Sequence, residues 1–434
     1  MRAVVFTLVW PFMSVFTAVR EVFSNRNILL LTLSQAPFMF TSFLWFPYRS
    51  LFILELGATK ELLGLLLMLE TLGQIVFQFL GGILADRIGR RRIIVSSAFL
   101  RIASPLIFLV STHWTHVAPG MILNSIAMLG MPAINALIAE SLPQTSRGAG
   151  YATYRMVTWM PMMITSLLGG ILMDSYGVIR GVQFCLLASL VVSIVSALLR
   201  WRFLTETLDP GGVSDERAGD GDASFKDRLV QQLGLIPRSV WILIVVSSLS
   251  GFAMRSVFSF MVVYAVEVVG LTKTEWGIIG TIVSLVSTVL TLPAGMLTDR
   301  IGRKPCITIS RILSPLSTLG FTVATNFWQM GAVRVAGGVA QGFGGLVWGA
   351  MGGPTWQALV ADITPPQSRG KMMGLMGAIT GVVSTPASWA GGYMYDHISP
   401  TLPFQTSFIV DAVGTLIFIA FLKEPPRQTT PSSK

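Results

Sequence analysis

The sequence predicts an all-α polytopic membrane protein, with twelve transmembrane helices in two pseudo-symmetric bundles of six. Composition is the first sign. Of the 434 residues, 52% are hydrophobic and 12% charged, and the mean hydropathy is +0.68; an ordinary soluble domain is about a quarter charged. The second sign is the length of the apolar runs. A helix needs ~20 apolar residues to cross ~30 Å of hydrocarbon, and twelve stretches of that kind follow one another along the chain. The third is duplication, because polar, Gly and Pro positions recur in register about half a chain apart.

In chain order, residues 1–27 hold an apolar stretch broken by Pro11 and followed by Arg20, Glu21 and Arg26. No small-residue cleavage site follows, so a signal peptide is a poor reading. A helix lying on the membrane surface is expected instead, with an extra spanning helix over Ala3 to Val19 as the alternative. The reason is internal: Phe225 to Leu235, with Lys226, Asp227 and Arg228, takes the matching place ahead of the second half. The N-terminal bundle is expected over 28–203, with spans near 28–54, 61–84, 92–112, 117–140, 149–173 and 179–203. The C-terminal bundle is expected over 239–422, with spans near 239–267, 274–297, 304–324, 328–361, 371–395 and 402–422. Between them, 204–238 carries Pro210-Gly211-Gly212 and several acidic residues, and reads as a hydrophilic linker on the cytoplasmic side. Residues 423–434 read as a cytoplasmic tail.

Charge orients this frame. Of the 31 Lys and Arg residues, 22 fall on one side, and three (Lys60, Arg180 and Lys273) fall on the other. Lys and Arg near span ends favour the cytoplasmic side, so both termini are expected inside a cell membrane. The net charge of +10 is then a matter of topology, and no nucleic-acid partner is expected. Cys185 and Cys306 sit in or beside apolar segments and offer neither a disulfide framework nor metal spacing. His113, His116 and His397 fall at outer connections, away from any buried relay.

The duplication centres on a charged stretch. Gly82-Ile-Leu-Ala-Asp86-Arg87-Ile-Gly89-Arg90 returns as Gly295-Met-Leu-Thr-Asp299-Arg300-Ile-Gly302-Arg303, 213 residues later. Each copy is expected to form a turn between two spans, with Gly89 and Gly302 adopting φ > 0. Around it, Gly57-Ala-Thr59-Lys60 matches Gly270-Leu-Thr272-Lys273, and Arg101-Ile-Ala-Ser104-Pro105 matches Arg311-Ile-Leu-Ser314-Pro315. Glu140 with Arg147 matches Asp362 with Arg369, Gly169-Gly170 matches Gly391-Gly392, and Glu206 matches Glu424.

With these motifs in both halves, the chain resembles the major facilitator superfamily of secondary transporters along essentially its whole length. The resemblance implies alternating access, in which charges at the inner turns bridge the bundles when the inner gate is closed. The cytoplasmic gate would then comprise Gly82, Asp86, Arg87, Gly89, Arg90, Glu140, Arg147 and Glu206 in one half, and Gly295, Asp299, Gly302, Arg303, Asp362, Arg369 and Glu424 in the other. The chain departs from the antiporter pattern in two places. Ser166 stands where Gly-Pro-x-x-Gly-Gly has its proline, and the fourth span lacks the drug/proton arginine, for which Arg334 is the nearest analogue.

A substrate site is expected near the bilayer midplane, and polar residues at helical spacing point to it. They are Gln35, Ser42, Trp45 and Arg49 on the first span; Glu70, Gln74 and Gln78 on the second; and Asn124 and Asn135 on the fourth. In the second half they are Arg255, Ser259 and Tyr264 on the seventh span, and Gln341 and Trp348 on the tenth. Glu70 stands out because ionisable groups in hydrocarbon are costly and its counterpart in the repeat is Val283. It reads as a proton carrier or a substrate counter-charge. Arg255 reads as a partner for an anionic substrate or for Glu70. Arg155 lies just inside the fifth span and Arg334 just inside the tenth. Arg101 and Arg311 repeat, so a structural role by snorkelling or by pairing with inner carboxylates is expected for them.

No P-loop, Gly-x-Ser-x-Gly elbow or metal cluster is present in the sequence, so neither an enzyme nor a cofactor is expected. The expected function is movement of a small solute across the cell membrane by alternating access, coupled to protons, with the chain acting as a monomer in the bilayer. A drug or metabolite efflux antiporter and an uncoupled facilitator are the alternatives within transport. A sensor or scaffold of the same fold is the alternative outside it.

Overall fold

The computed structural model describes residues 22–142, 147–207, 237–344, 353–364 and 369–422, with side-chain placement for all of these but Arg147, Ala149, Ala152, Leu292, Asp299, Pro354, Arg369 and Lys371. Most of the segment 1–27, most of the linker and the tail 423–434 therefore lie outside the described residues, as do Trp348 and Glu424.

The regular elements described are all helical. The first half contains α1 (Arg26–Trp45), α2 (Arg49–Glu55), α3 (Lys60–Ile88), α4 (Arg90–Leu109), α5 (Trp114–Ala127), α6 (Gly130–Ser141), α7 (Arg147–Trp159), α8 (Thr165–Tyr176) and α9 (Val178–Phe203). The second contains α10 (Arg238–Phe258), α11 (Met261–Glu267), α12 (Lys273–Ile301), α13 (Arg303–Gly320), α14 (Phe327–Gly342), α15 (Pro354–Ile363), α16 (Arg369–Ser384), α17 (Ala387–His397) and α18 (Leu402–Phe421). Nine helices among the described residues are long and apolar enough to cross a membrane. They occupy the places of the first eight expected spans and the last. The ninth expected span corresponds to α13, the tenth to α14 with α15, and the eleventh to α16 with α17.

Several spans are broken where the sequence removes a backbone donor. Pro47 falls in the 3-10 turn Phe46–Tyr48 between α1 and α2, and Pro161 falls in the 3-10 segment Met160–Ile164 between α7 and α8. Pro386 separates α16 from α17. Proline has no N–H to give to the preceding turn, so the α-helix tightens or stops there.

The charged stretch is mostly not a turn. Helix α3 runs on through Asp86 and Arg87 to Ile88, and α4 starts at Arg90. The reversal is confined to Gly89 at φ 100°, as it is to Gly302 at φ 103° in the second copy. That backbone region is open to glycine and strained for other L-residues, so one residue suffices to turn the chain. The charges consequently sit on helix ends, one turn apart, and not on a loop.

The chain divides into two compact units. One contains residues 1–58, 69–217 and 272–277; the other contains 59–68, 218–271 and 278–434. The first is centred on Ile28, Leu31, Ile94, Ala133, Leu137 and Ile138, and the second on Leu243, Ile307, Trp356, Leu359 and Phe418, all almost fully buried. The two short exchanged pieces are held by the same device. In the first unit the Asp174 carboxylate accepts from the backbone N–H of Lys273 (3.1 Å) and Thr274 (2.7 Å), at the start of α12. In the second, Asp396 accepts from the N–H of Glu61 at 2.7 Å, at the start of α3. An acidic side chain is well matched to the unsatisfied donors and positive dipole end of a helix N-terminus.

Close helix contacts need absent side chains. A Cβ on Gly169 would overlap the carbonyl oxygen of Leu44 in the first unit, and one on Gly391 would overlap that of Ser256 in the second. Several buried hydroxyls are satisfied locally: Thr32, Ser193, Thr298 and Thr415 each donate to the carbonyl four residues back.

Candidate functional site

Three of the predicted polar residues converge inside the first unit. Arg49 is the first residue of α2, Glu70 lies in α3 and Asn124 in α5. The Arg49 Nη1 is 2.8 Å from Glu70 Oε2, with side-chain exposures of 14% and 4%. Asn124 Nδ2 donates to the other carboxylate oxygen at 2.9 Å. The backbone is tied in as well, since Ser125 Oγ donates to the Glu70 carbonyl at 3.0 Å. Arg49 also stands 5.3 Å from the Phe46 ring centroid. The break at Pro47 restarts the helix so that Arg49 begins a new axial segment, within reach of Glu70. In so dry a place each charge needs the other, because a buried ion without a partner costs several kcal/mol, roughly 3–5.

The remaining candidates scatter. Gln35 accepts from Arg200 Nη2 at 2.7 Å, and Ser34 Oγ accepts from Arg200 Nε at 2.9 Å, so Gln35 is occupied by a buried arginine that the polar stripe had not suggested. Trp45 is buried edge-on against Phe108. Ser42 and Gln74 are half-buried, while Gln78 is exposed. Asn135 accepts from Tyr151 Oη at 2.8 Å on an exposed face. In the second unit, Arg255 and Ser259 are half-buried. Tyr264 is buried in an aromatic cluster with Phe321 and Phe404. Gln341 is half-buried near the end of α14.

The repeated arginines do not snorkel. Arg101 is buried, with its guanidinium 4.8 Å from the Phe38 ring centroid. Arg311 is buried 3.4 Å from Asp411, and Ser250 donates to the same carboxylate at 2.6 Å. Asp411, which the sequence left without a role, thus ties α18 to α13 and α10. The pair forms inside the unit because α13 and α18 pack against each other, which sets Arg311 beside Asp411.

The charged helix ends form a second cluster in each unit. Arg90 Nη2 lies 2.9 Å from Glu140 Oε1 and 3.5 Å from Asp86 Oδ1. Glu206 caps α4, accepting from the backbone N–H of Arg90 at 3.1 Å and Arg91 at 3.0 Å. Thr207 Oγ1 donates to Glu140 at 2.7 Å. In the second unit Arg303 pairs with Asp362, while Lys304 Nζ donates to the carbonyls of Ile419 (2.9 Å) and Leu422 (2.6 Å) at the end of α18. The backbones of Gly82, Arg87 and Gly295 fall within α3 and α12. The side chains of Arg147, Asp299 and Arg369 lie outside the described ones.

A model of the Major Facilitator Superfamily matches residues 29–277 and 250–434. The chain belongs to the Major Facilitator Superfamily. It is a secondary transporter, a multi-pass membrane protein built to move small solutes. It is similar to the multidrug resistance protein MdtG of Dickeya zeae (strain Ech586), with 28% identity over 307 residues, 68% of this chain and 72% of that one. A Na(+), Li(+), K(+)/H(+) antiporter of Planococcus maritimus is 29% identical over 228 residues, 49% of this chain and 51% of the relative. The quinolone resistance protein NorA of Staphylococcus aureus is 31% identical over 163 residues, 37% of this chain and 39% of the relative. The matched part thus spans about half or less of those last two. Among solved structures, the nucleoside transporter NupG has a TM-score of 0.71 at 13% identity, covering 92% of this chain and 100% of that one. A D-xylose–proton symporter has a TM-score of 0.67 at 18% identity, covering 92% and 97%. At such identities the likeness is one of fold.

Proposed function

We propose that this transporter couples solute movement to protons, with Glu70 as the group that carries the proton. The observation that supports it is the Arg49–Glu70–Asn124 cluster. Ionised, the carboxylate holds Arg49 and the Asn124 amide. Protonated, it loses its hold on the guanidinium, and Arg49 must find another anion. One proton therefore changes the strongest polar contact among α2, α3 and α5, and a contact made in one state and absent in another biases a two-state equilibrium. Export by antiport is the direction favoured by the names of the relatives, two resistance proteins and a cation/proton antiporter. In this reading the protein works as a monomer in the cell membrane with both termini in the cytoplasm, residues 28–203 and 239–422 are the rocking bundles, and the clusters around Arg90 and Arg303 belong to the cytoplasmic gate.

The test is transport in proteoliposomes against a panel of solutes, quinolones included, with and without an imposed pH gradient. Glu70→Gln is expected to abolish gradient-driven accumulation while sparing counterflow, which needs no net proton movement. If the variant keeps the pH dependence of the native protein, Glu70 is not the carrier.

A further inference from the structure

The first unit carries another polar face, which the Glu70 cluster does not use. Tyr151, Arg155 and Trp159 follow one another at i, i+4 and i+8 on α7 and so share one side of it. Arg155 and Trp159 are exposed, with the guanidinium 5.2 Å from the Trp159 ring centroid. Beside them Met156 and Met160 are 58% and 64% exposed. At the near end Tyr151 Oη is anchored on the exposed Asn135 of α6.

Two features separate this face from an ordinary lipid-facing one. Arginine, tyrosine and asparagine gather on it, and polar side chains at membrane depth turn toward protein or water, away from hydrocarbon. The guanidinium of Arg155 also sits over the Trp159 ring, which pairs a cation with a flat apolar surface. Among the described residues, no carboxylate lies within ion-pair distance of Arg155, whereas Arg49, Arg90, Arg303 and Arg311 all have one.

We propose that this face binds amphipathic organic anions as transported solutes. Arg155 takes the carboxylate, for which a guanidinium offers two parallel donors. Trp159 stacks on the body of the solute, and Met156 and Met160 adapt around it, as flexible thioethers do. Tyr151 and Asn135 supply hydrogen bonds at the rim. The proposal rests on the transport function above and names the class of solute.

The test uses the full chain in lipid nanodiscs and three probes with one aromatic body: 2-naphthoate, 2-naphthylmethanol and 2-naphthylmethylammonium. Equilibrium binding is measured, and uptake by protein-free discs is subtracted. Naphthoate is expected to bind at least about tenfold more tightly than the alcohol, a difference of ~1.4 kcal/mol, and the ammonium least tightly. Arg155→Gln should erase the preference and leave the alcohol unchanged, Arg155→Lys should keep part of it, and Trp159→Leu should weaken naphthoate and alcohol alike. Equal binding of all three probes to the native protein, or a preference that survives Arg155→Gln, overturns the proposal. Glu70→Gln should retain the naphthoate preference even where it abolishes proton-driven transport, so the two readings fail separately.

Discussion

Replacing Arg49 by Met keeps most of the apolar stem of the side chain and removes its charge, which leaves the Glu70 carboxylate, 4% exposed, without its counter-ion. Removing one partner of a buried ion pair costs about 3–5 kcal/mol, so Arg49→Met should destabilise the protein by about that much. A second substitution, Glu70→Gln, removes the orphan charge altogether and should return most of the loss, giving a coupling energy of about 2–3 kcal/mol in a double-mutant cycle. Reversible unfolding in mixed micelles, run on the native protein, both single variants and the double variant, measures each corner. If Arg49→Met costs less than about 0.5 kcal/mol, or if the two changes simply add, Arg49 and Glu70 do not depend on each other and the reasoning fails.

Two further outcomes follow from the packing. Gly169→Ala places a Cβ on the carbonyl oxygen of Leu44 and should cost about 1–3 kcal/mol by forcing α8 from α1, whereas Gly295→Ala, with no atom within 4 Å of the added carbon, should be neutral or slightly stabilising; equal melting temperatures for the two variants would refute the close-contact argument. Glu206→Gln keeps an acceptor for the N-terminus of α4 but loses the charge that favours the helix dipole, worth up to ~1 kcal/mol; hydrogen exchange of the amides of Arg90 and Arg91 should rise several-fold, and unchanged protection would mean that the cap contributes nothing.

Much of the architecture can be read along the chain. The recurrence of Asp86, Gly89 and Arg90 as Asp299, Gly302 and Arg303 locates both helix reversals, and the glycines take the positive φ that so sharp a reversal requires. Arg49, Glu70 and Asn124 each stand out as polar groups in apolar surroundings, yet nothing in their spacing says that they meet. They lie on three helices, and their meeting depends on how far each is rotated about its axis. Other members of the polar stripe meet partners that their spacing does not reveal. Helical spacing puts Gln35 on one face with Arg49, but α1 ends between them at the turn Phe46–Tyr48, and Arg200, arriving from α9, donates to the Gln35 amide oxygen. Tyr264 reads as a site residue by spacing and is an aromatic core residue by packing. Asp411 has no readable role until α13 brings Arg311 beside it.

The chain by itself determined the membrane class, the order of the spans, the duplication and the family resemblance. These are local properties, fixed by hydrophobic run length and by Gly, Pro and charged residues at repeated offsets, and each can be read within a few turns of helix. Only the tertiary structure decided which buried charges are neutralised and by whom, and that Arg155 faces outward with no acid at ion-pair distance among the described residues. Those outcomes depend on helix rotation and on neighbours distant in sequence. In a low-dielectric interior a shift of a few ångströms separates a satisfied ion pair from one that costs several kcal/mol. Arg49 and Arg155 show the difference: each lies in an apolar span beside an aromatic ring, and only packing gave the first Glu70 and the second an exposed face.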